Sequence, residues 1–167
     1  MNAAFIDAQN VHKGIASLGW KLDWKKFRVY LAEKYKVNTA YIFLGFLPTQ
    51  QDLYALLQKA GFILIFKPVI FDNQGKAKGN CDADLVLHTI VEKDRYDKAI
   101  IVTSDGDFYS LIRYLYNNQK LEMVLSPYVK TCSKLLKKEA KEKINYMQNL
   151  KQKVGKNEKA PQWDETQ

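Results

Sequence analysis

Three separate stretches of this 167-residue chain place aspartate at the end of an apolar run or at the start of a helix-like one. AAFIDAQN carries Asp7 and, three residues on, Asn10. KGNCDADLVL carries Asp82 and Asp84, and IIVTSDGDF carries Asp105 and Asp107 either side of one glycine. Carboxylates brought together repel one another and cost stability unless a cation neutralises them, so a convergence of the three is hard to explain by folding alone. A few hard oxygen ligands open to solvent suit Mg²⁺ or Mn²⁺, ions that keep several waters and are shared between carboxylates and a phosphate. The chemistry such a site supports is activation of a water and stabilisation of the leaving oxygen of a phosphodiester. On this reading Asp7 and Asp105 are direct ligands, and Asp82 and Asp107 hold a second ion or act through water. Asn10 orients a water or phosphate, and Asp84 is held in reserve.

Plainer roles exist for each residue. Asp7 could cap a helix beginning near Asn10, and Asp107 the helix beginning at Phe108, but capping does not account for all the acids together. Asp84 and His88 have the spacing of an exposed helix pair. His12 reads as structural near a helix start, and with only two histidines a histidine-based zinc site is not expected. Cys81 and Cys132 are far apart and form no metal or redox motif, so both are expected to be free thiols. No phosphate-cradling glycine-rich loop and no Ser-His-Asp or Cys-His arrangement occurs. A phosphatase of the haloacid dehalogenase type would want a second aspartate two residues after Asp7, where this chain has Gln9. Trp20, Trp24, Tyr109, Tyr114 and Tyr116 could stack on bases, although Trp24 is expected to pack in the core.

The elements that must position these acids are legible as alternating strand-length and helix-length segments, the signature of a parallel sheet covered on both faces. Strands are predicted over 3–6, 40–46, 62–70, 99–103 and 122–125, and helices over 24–35, 51–60, 83–93 and 108–117. Leu53, Leu56, Leu57 and Ala60 form one apolar stripe and Phe108, Leu111, Ile112 and Leu115 another, which marks them as core. Asp23 and Thr49 are candidate N-caps, and Gly61 stands where a helix should stop. DNQGKAKGN, residues 72–80, reads as a loop. After Pro127 the lysine-rich stretch 131–143 is predicted helical, residues 144–147 could add an edge strand, and residues 148–154 a last helical turn or two. The expected fold is α/β, three layers with a mostly parallel sheet in the order 3-2-1-4-5. It occupies residues 1–153 and leaves 154–167 as a disordered tail. In that order the first and fourth strands are neighbours where strand order reverses, the place where ligands bind in open parallel sheets.

The formal charge of +8 is unevenly distributed. Residues 130–159 hold 10 Lys against 3 Glu, whereas residues 1–129 hold 16 Lys and Arg against 13 Asp and Glu. A lysine-rich segment beside a near-neutral domain suits a polyanion, RNA or DNA. As a helix, it would set Lys134, Lys137, Lys138 and Lys141 on one stripe, with Lys143 pointing elsewhere. Lys76 and Lys78 in the 72–80 loop offer a second phosphate-binding surface. No apolar run approaches the roughly 20 residues of a membrane span, and no secretory leader is recognisable. A cytoplasmic protein with no membrane partner is therefore expected, and a homodimer is compatible with the sequence.

The blocks FIDAQN, KGNCDADLVLH, YDKAIIVTSDGDFYSLIRYL and CSKLLKKEAKEKINYM together resemble the NYN domain, the LabA-like branch of the PIN-like nuclease superfamily, over roughly residues 3–153. The resemblance implies a three-layer α/β/α fold, an acidic metal-binding pocket and endoribonuclease activity, with Asp7, Asn10, Asp82, Asp105 and Asp107 at the pocket positions. The family usually shows Ser-Gly before the aspartate of the fourth strand. Here Thr103 and Ser104 stand instead and could supply a hydroxyl. The Asn80-Cys81 pair also departs from the family pattern. The leading expectation is a metal-dependent endoribonuclease, and the alternative is a non-catalytic PIN-like module that binds RNA or a protein.

Overall fold

The structure, a computed structural model, describes residues 1–78 and 81–157, with residues 77 and 78 through their backbone alone. In chain order the elements are β1 (Asn2–Asp7), α1 (Ala8–Ala16), α2 (Trp24–Tyr35), β2 (Val37–Phe46), α3 (Gln51–Lys59) and β3 (Phe62–Pro68). There follow β4 (Ile70–Phe71), β5 (Ala77–Lys78), α4 (Asp82–Val91), β6 (Ala99–Val102) and α5 (Tyr109–Asn117), then β7 (Leu121–Ser126), α6 (Lys134–Ala140), β8 (Ile144–Tyr146) and α7 (Lys151–Val154). Six strands form one sheet in the order β3-β2-β1-β6-β7-β8, and every pairing in it is parallel. This is the expected order, with β8 added at one edge and the small β4–β5 hairpin standing outside.

Alternation along each central strand builds two cores. Ala4, Ile6, Ile100 and Val102 point into one, with α1, α2 and α3, while Ala3, Phe5, Ala99 and Ile101 point into the other, with α4, α5 and α6. Successive side chains of a strand face opposite ways, so a strand buried on both faces must be apolar at every position, as β1 and β6 are from Ala3 to Ile6 and from Ala99 to Val102. Asp7 is where that requirement lapses at the carboxyl end of β1. Trp24 packs edge-on against Phe27 and Phe62, as expected of a core residue.

Several boundaries differ from the expectation for identifiable reasons. The strand predicted over 62–70 stops at Pro68, which cannot donate a backbone hydrogen bond, and resumes as a hairpin. Its turn is set by Asp72, whose Oδ1 accepts from the backbone N–H groups of Gln74 and Lys76 at 2.9 Å each, and by Gly75 at φ +74. The 72–80 segment is thus in part a β-hairpin, with Gly79 and Asn80 outside the described residues. Asp23 caps α2 through Lys26 N–H at 3.1 Å, and Gly61 ends α3 at φ +96. Thr49 caps nothing, because it lies inside a 3₁₀ turn, Pro48–Gln50. The lysine-rich helix covers only Lys134–Ala140, since the chain reverses at Lys141 (φ 54) and Lys143 to place β8 beside β7. Nor is the chain loose from residue 154: Gly155 bridges to Leu22, and Lys156 N–H donates to Lys21 O at 2.9 Å. The tail from residue 158 on lies outside the described residues.

Candidate metal centre

The crevice lies at the carboxyl ends of β1 and β6. The chain leaves β1 towards β2 over one face of the sheet and reaches β6 over the other by way of α4, so the loops part here. Asp7 closes β1, Asp105 follows β6 after Thr103 and Ser104, and Asp82 opens α4, where the helix dipole favours a negative charge. Leu85, one turn along α4, is buried in the core with Phe5 and fixes the height at which Asp82 enters. One carboxylate oxygen from each of Asp7, Asp82 and Asp105 lies within 4.8 Å of the others.

A hydrogen-bonded lattice holds these groups. Asp7 Oδ1 accepts from Asn10 N–H at 3.3 Å, which makes Asp7 the N-cap of α1, and its Oδ2 accepts from the Thr103 hydroxyl at 3.2 Å. The same Thr103 oxygen accepts from Asp105 N–H at 3.1 Å. Thr103 is fully buried, so one hydroxyl sets both the carboxylate ending β1 and the backbone that aims Asp105. Asn10 Oδ1 accepts from Ser104 N–H at 2.8 Å and from its hydroxyl at 2.9 Å. With its oxygen engaged, the Asn10 amide offers only donors to anything else. Asn10 therefore pins the loop after β6 to α1 through its oxygen.

On the far side, Asp105 Oδ1 accepts from Asp107 N–H at 2.9 Å and caps the 3₁₀ turn Gly106–Phe108. Ser133 N–H donates to Ser104 O at 3.1 Å, and a Cβ on Gly106 would collide with the Ser133 side chain. The glycine between the two aspartates is required by this contact.

The electrostatics show what the arrangement costs. Burial pushes the Asp7 carboxyl up to about 6, helped by the negative charges of Asp82 and Asp105, while the hydrogen bonds from Asn10 and Thr103 pull it partly back. Cys81, half-buried beside the cluster, has its thiol pushed up to about 11 by burial and by Asp84, Asp7 and Asp82, against the pull of Lys67. A thiol that stays protonated is a poor metal ligand. The available donors are carboxylate oxygens, which fit Mg²⁺ or Mn²⁺ rather than a softer ion. Their spacing lets one ion reach all three, directly or through its waters.

The remaining sequence-predicted residues fall elsewhere. Asp107 is exposed and outside the cluster because its N–H, not its carboxylate, turns towards Asp105. Asp84, two residues and so about half a turn after Asp82, is exposed on the other side of α4, and His12 is exposed on α1. His88 packs its ring edge-on against Tyr41 and Phe43, at centroid distances of 4.5 and 5.7 Å. Lys134 is exposed at the start of α6, next to the Ser133 that contacts Gly106. Lys137 Nζ donates to Val129 O at 3.0 Å, Lys138 is exposed, and Lys141 has stepped off the helix to lie over the Tyr116 ring at 4.5 Å. The expected four-lysine stripe is therefore broken. Lys76 is exposed at the hairpin turn, and the side chain of Lys78 lies outside the described residues. Ser133 and Lys67 were not anticipated near the site. Their proximity arises from chain reversals that no local pattern encodes.

Residues 2–147 match the NYN domain family. The chain belongs to it. Through the family, this NYN domain also belongs to the PIN-like superfamily. Among curated proteins none matches it. Among solved structures, a protein of unknown function from Vibrio parahaemolyticus is similar at a TM-score of 0.76 and 24% identity, over 93% of this chain and 95% of that one. That likeness shows the shared fold. No helix among the described residues is long and apolar enough to cross a membrane.

Proposed function

We propose that this NYN domain is a divalent-metal-dependent endoribonuclease acting at the Asp7–Asp82–Asp105 cleft. The observation that carries the reading is the meeting of three carboxylates from three elements at the point where strand order reverses. Asp7, Asp82 and Asp105 would hold Mg²⁺ or Mn²⁺, which when bound lowers the pKa of a water and offsets charge on a phosphodiester. Thr103 keeps one Asp7 oxygen and the Asp105 backbone in register, so the carboxylates are set before substrate arrives. Asn10 holds the two sides of the crevice together. Lys134, next to the Ser133 that contacts Gly106, and Lys67, within electrostatic reach of Cys81, would supply positive charge suited to the phosphates of an RNA strand.

The test is incubation of the purified protein with end-labelled RNA and DNA in Mn²⁺, Mg²⁺ or EDTA, beside Asp105→Asn. Internal cleavage of RNA that needs the metal and is lost in Asp105→Asn is expected. Retention of RNA without cleavage would favour the alternative, a binding module that keeps the acids for another purpose.

A further inference from the structure

Two helices start beside the DGD turn of the acidic centre, and together they carry exposed aromatic and basic groups. α5 opens at Tyr109 directly after that turn, and α6 opens at Lys134, next to the Ser133 that contacts Gly106. Across the two helices, the Arg113 guanidinium donates to both oxygens of Glu139, at 3.1 and 2.7 Å. Four residues before these partners, and so one turn nearer the start of each helix on the same side, stand Tyr109 and Leu135. Both are large side chains left open to solvent, at 37% and 40% exposure. Tyr109 is held in place as well as exposed, because Arg113 lies over its ring at 5.5 Å and is itself fixed by Glu139. Lys134 and Lys138, both exposed, are neighbours at i, i+4 along α6. An aromatic ledge with ammonium groups alongside has the chemistry of a single-strand site, where bases stack on rings and the phosphates beside them meet positive charge. A duplex keeps its bases stacked on one another and offers no free base face, so single strands are the form that fits.

Resting on the reading that the acidic centre cleaves RNA, we propose that this α5–α6 surface binds the unpaired nucleotides next to the cut. One base stacks on Tyr109 against Leu135, and the adjoining phosphates lie on Lys134 and Lys138. The substrate is accordingly RNA that is single-stranded beside the scissile phosphodiester.

Fluorescence anisotropy of the full chain with labelled oligouridylate and with a fully paired RNA duplex, in the non-cleaving Asp105→Asn background, tests this apart from catalysis. The single strand is expected to bind more tightly than the duplex. Tyr109→Ala should weaken single-strand binding about fivefold to a hundredfold and leave the dependence of log affinity on log salt unchanged. Tyr109→Phe keeps the ring and should bind like the parent, which separates stacking from a damaged fold. Lys138→Gln should instead lower the salt dependence by about 0.7. A parent that binds no single strand, a duplex bound as tightly as the single strand, or a Tyr109→Ala variant with unaltered affinity overturns the proposal. Should the wild type cleave nothing in Mn²⁺ or Mg²⁺ while the Tyr109 effects hold, the nuclease reading falls and the single-strand site is upheld.

Discussion

Asp7 serves folding and, on the proposed function, chemistry as well, and the two uses conflict. It caps α1 and ends β1, both stabilising, yet it does so as a buried carboxylate facing two others. Its proton is held more tightly in the folded chain, at about 6, than at the ordinary 3.8. Between those values the folded state binds more protons than the unfolded one, so this group's contribution to stability falls as pH rises through that window and is lowest above it. The deficit at neutral pH is on the order of 3 kcal/mol. Asp7→Asn keeps a competent cap and removes the charge. In EDTA it should therefore be more stable than wild type at pH 7, with the advantage shrinking towards zero as pH is lowered to about 4. Urea titrations of both proteins across that range measure it, and because other carboxylates contribute alike to each, only the difference matters. A constant difference would mean that Asp7 is not strained by its neighbours.

At the scale of elements, what was legible followed from periodicity, and what was missed followed from long-range contact. The buried runs of β1 and β6 announce themselves because no polar residue is tolerated in them, and the stripe of α5 because its apolar residues recur every turn. The same rule misjudged α6. Lysines at helical spacing suggested a continuous ridge through Lys141, but β8 must return beside β7, and that demand reverses the chain at Lys141 whatever the local propensity. Thr103 could be suspected from its place before Asp105, whereas its double hydrogen bond depends on β1 and β6 being neighbours. If RNA crosses the cleft, the lysines should separate by position rather than by spacing. Lys134→Gln should reduce the dependence of log affinity on log salt by about 0.7, the loss of one phosphate contact on a single strand. Lys141→Gln, whose ammonium sits over Tyr116, should leave the dependence unchanged. Filter binding with non-cleaving Asp105→Asn as background at several salt concentrations distinguishes the two. Equal slopes for both variants would dissociate α6 from the RNA path.

For the molecule as a whole, the acidic centre is a joint between parts that the sequence holds far apart. Asp7, Asp82 and Asp105 come from β1, from the head of α4 and from the loop after β6, and their carboxylates meet only when the sheet is assembled in its observed order. The unfolded chain has no such site. A divalent ion that binds the folded form alone adds RT ln(1 + [L]/Kd) to stability, about 2.7 kcal/mol when the ion is at a hundred times its dissociation constant. In a domain of this size that corresponds to a rise in melting temperature of roughly 5–10 °C. Mn²⁺ or Mg²⁺ should raise the melting temperature of wild type by such an amount, and the response should collapse in Asp82→Asn and in Asp105→Asn. Asp107→Asn separates the geometry from the sequence pattern, since the motif places Asp107 beside Asp105 while the fold leaves its carboxylate exposed and outside the cluster. Calorimetry with and without the ion should find the Asp107→Asn response close to that of wild type. If Asp107→Asn loses the response while Asp82→Asn keeps it, the ion is held at the DGD turn and the three-element centre is wrong.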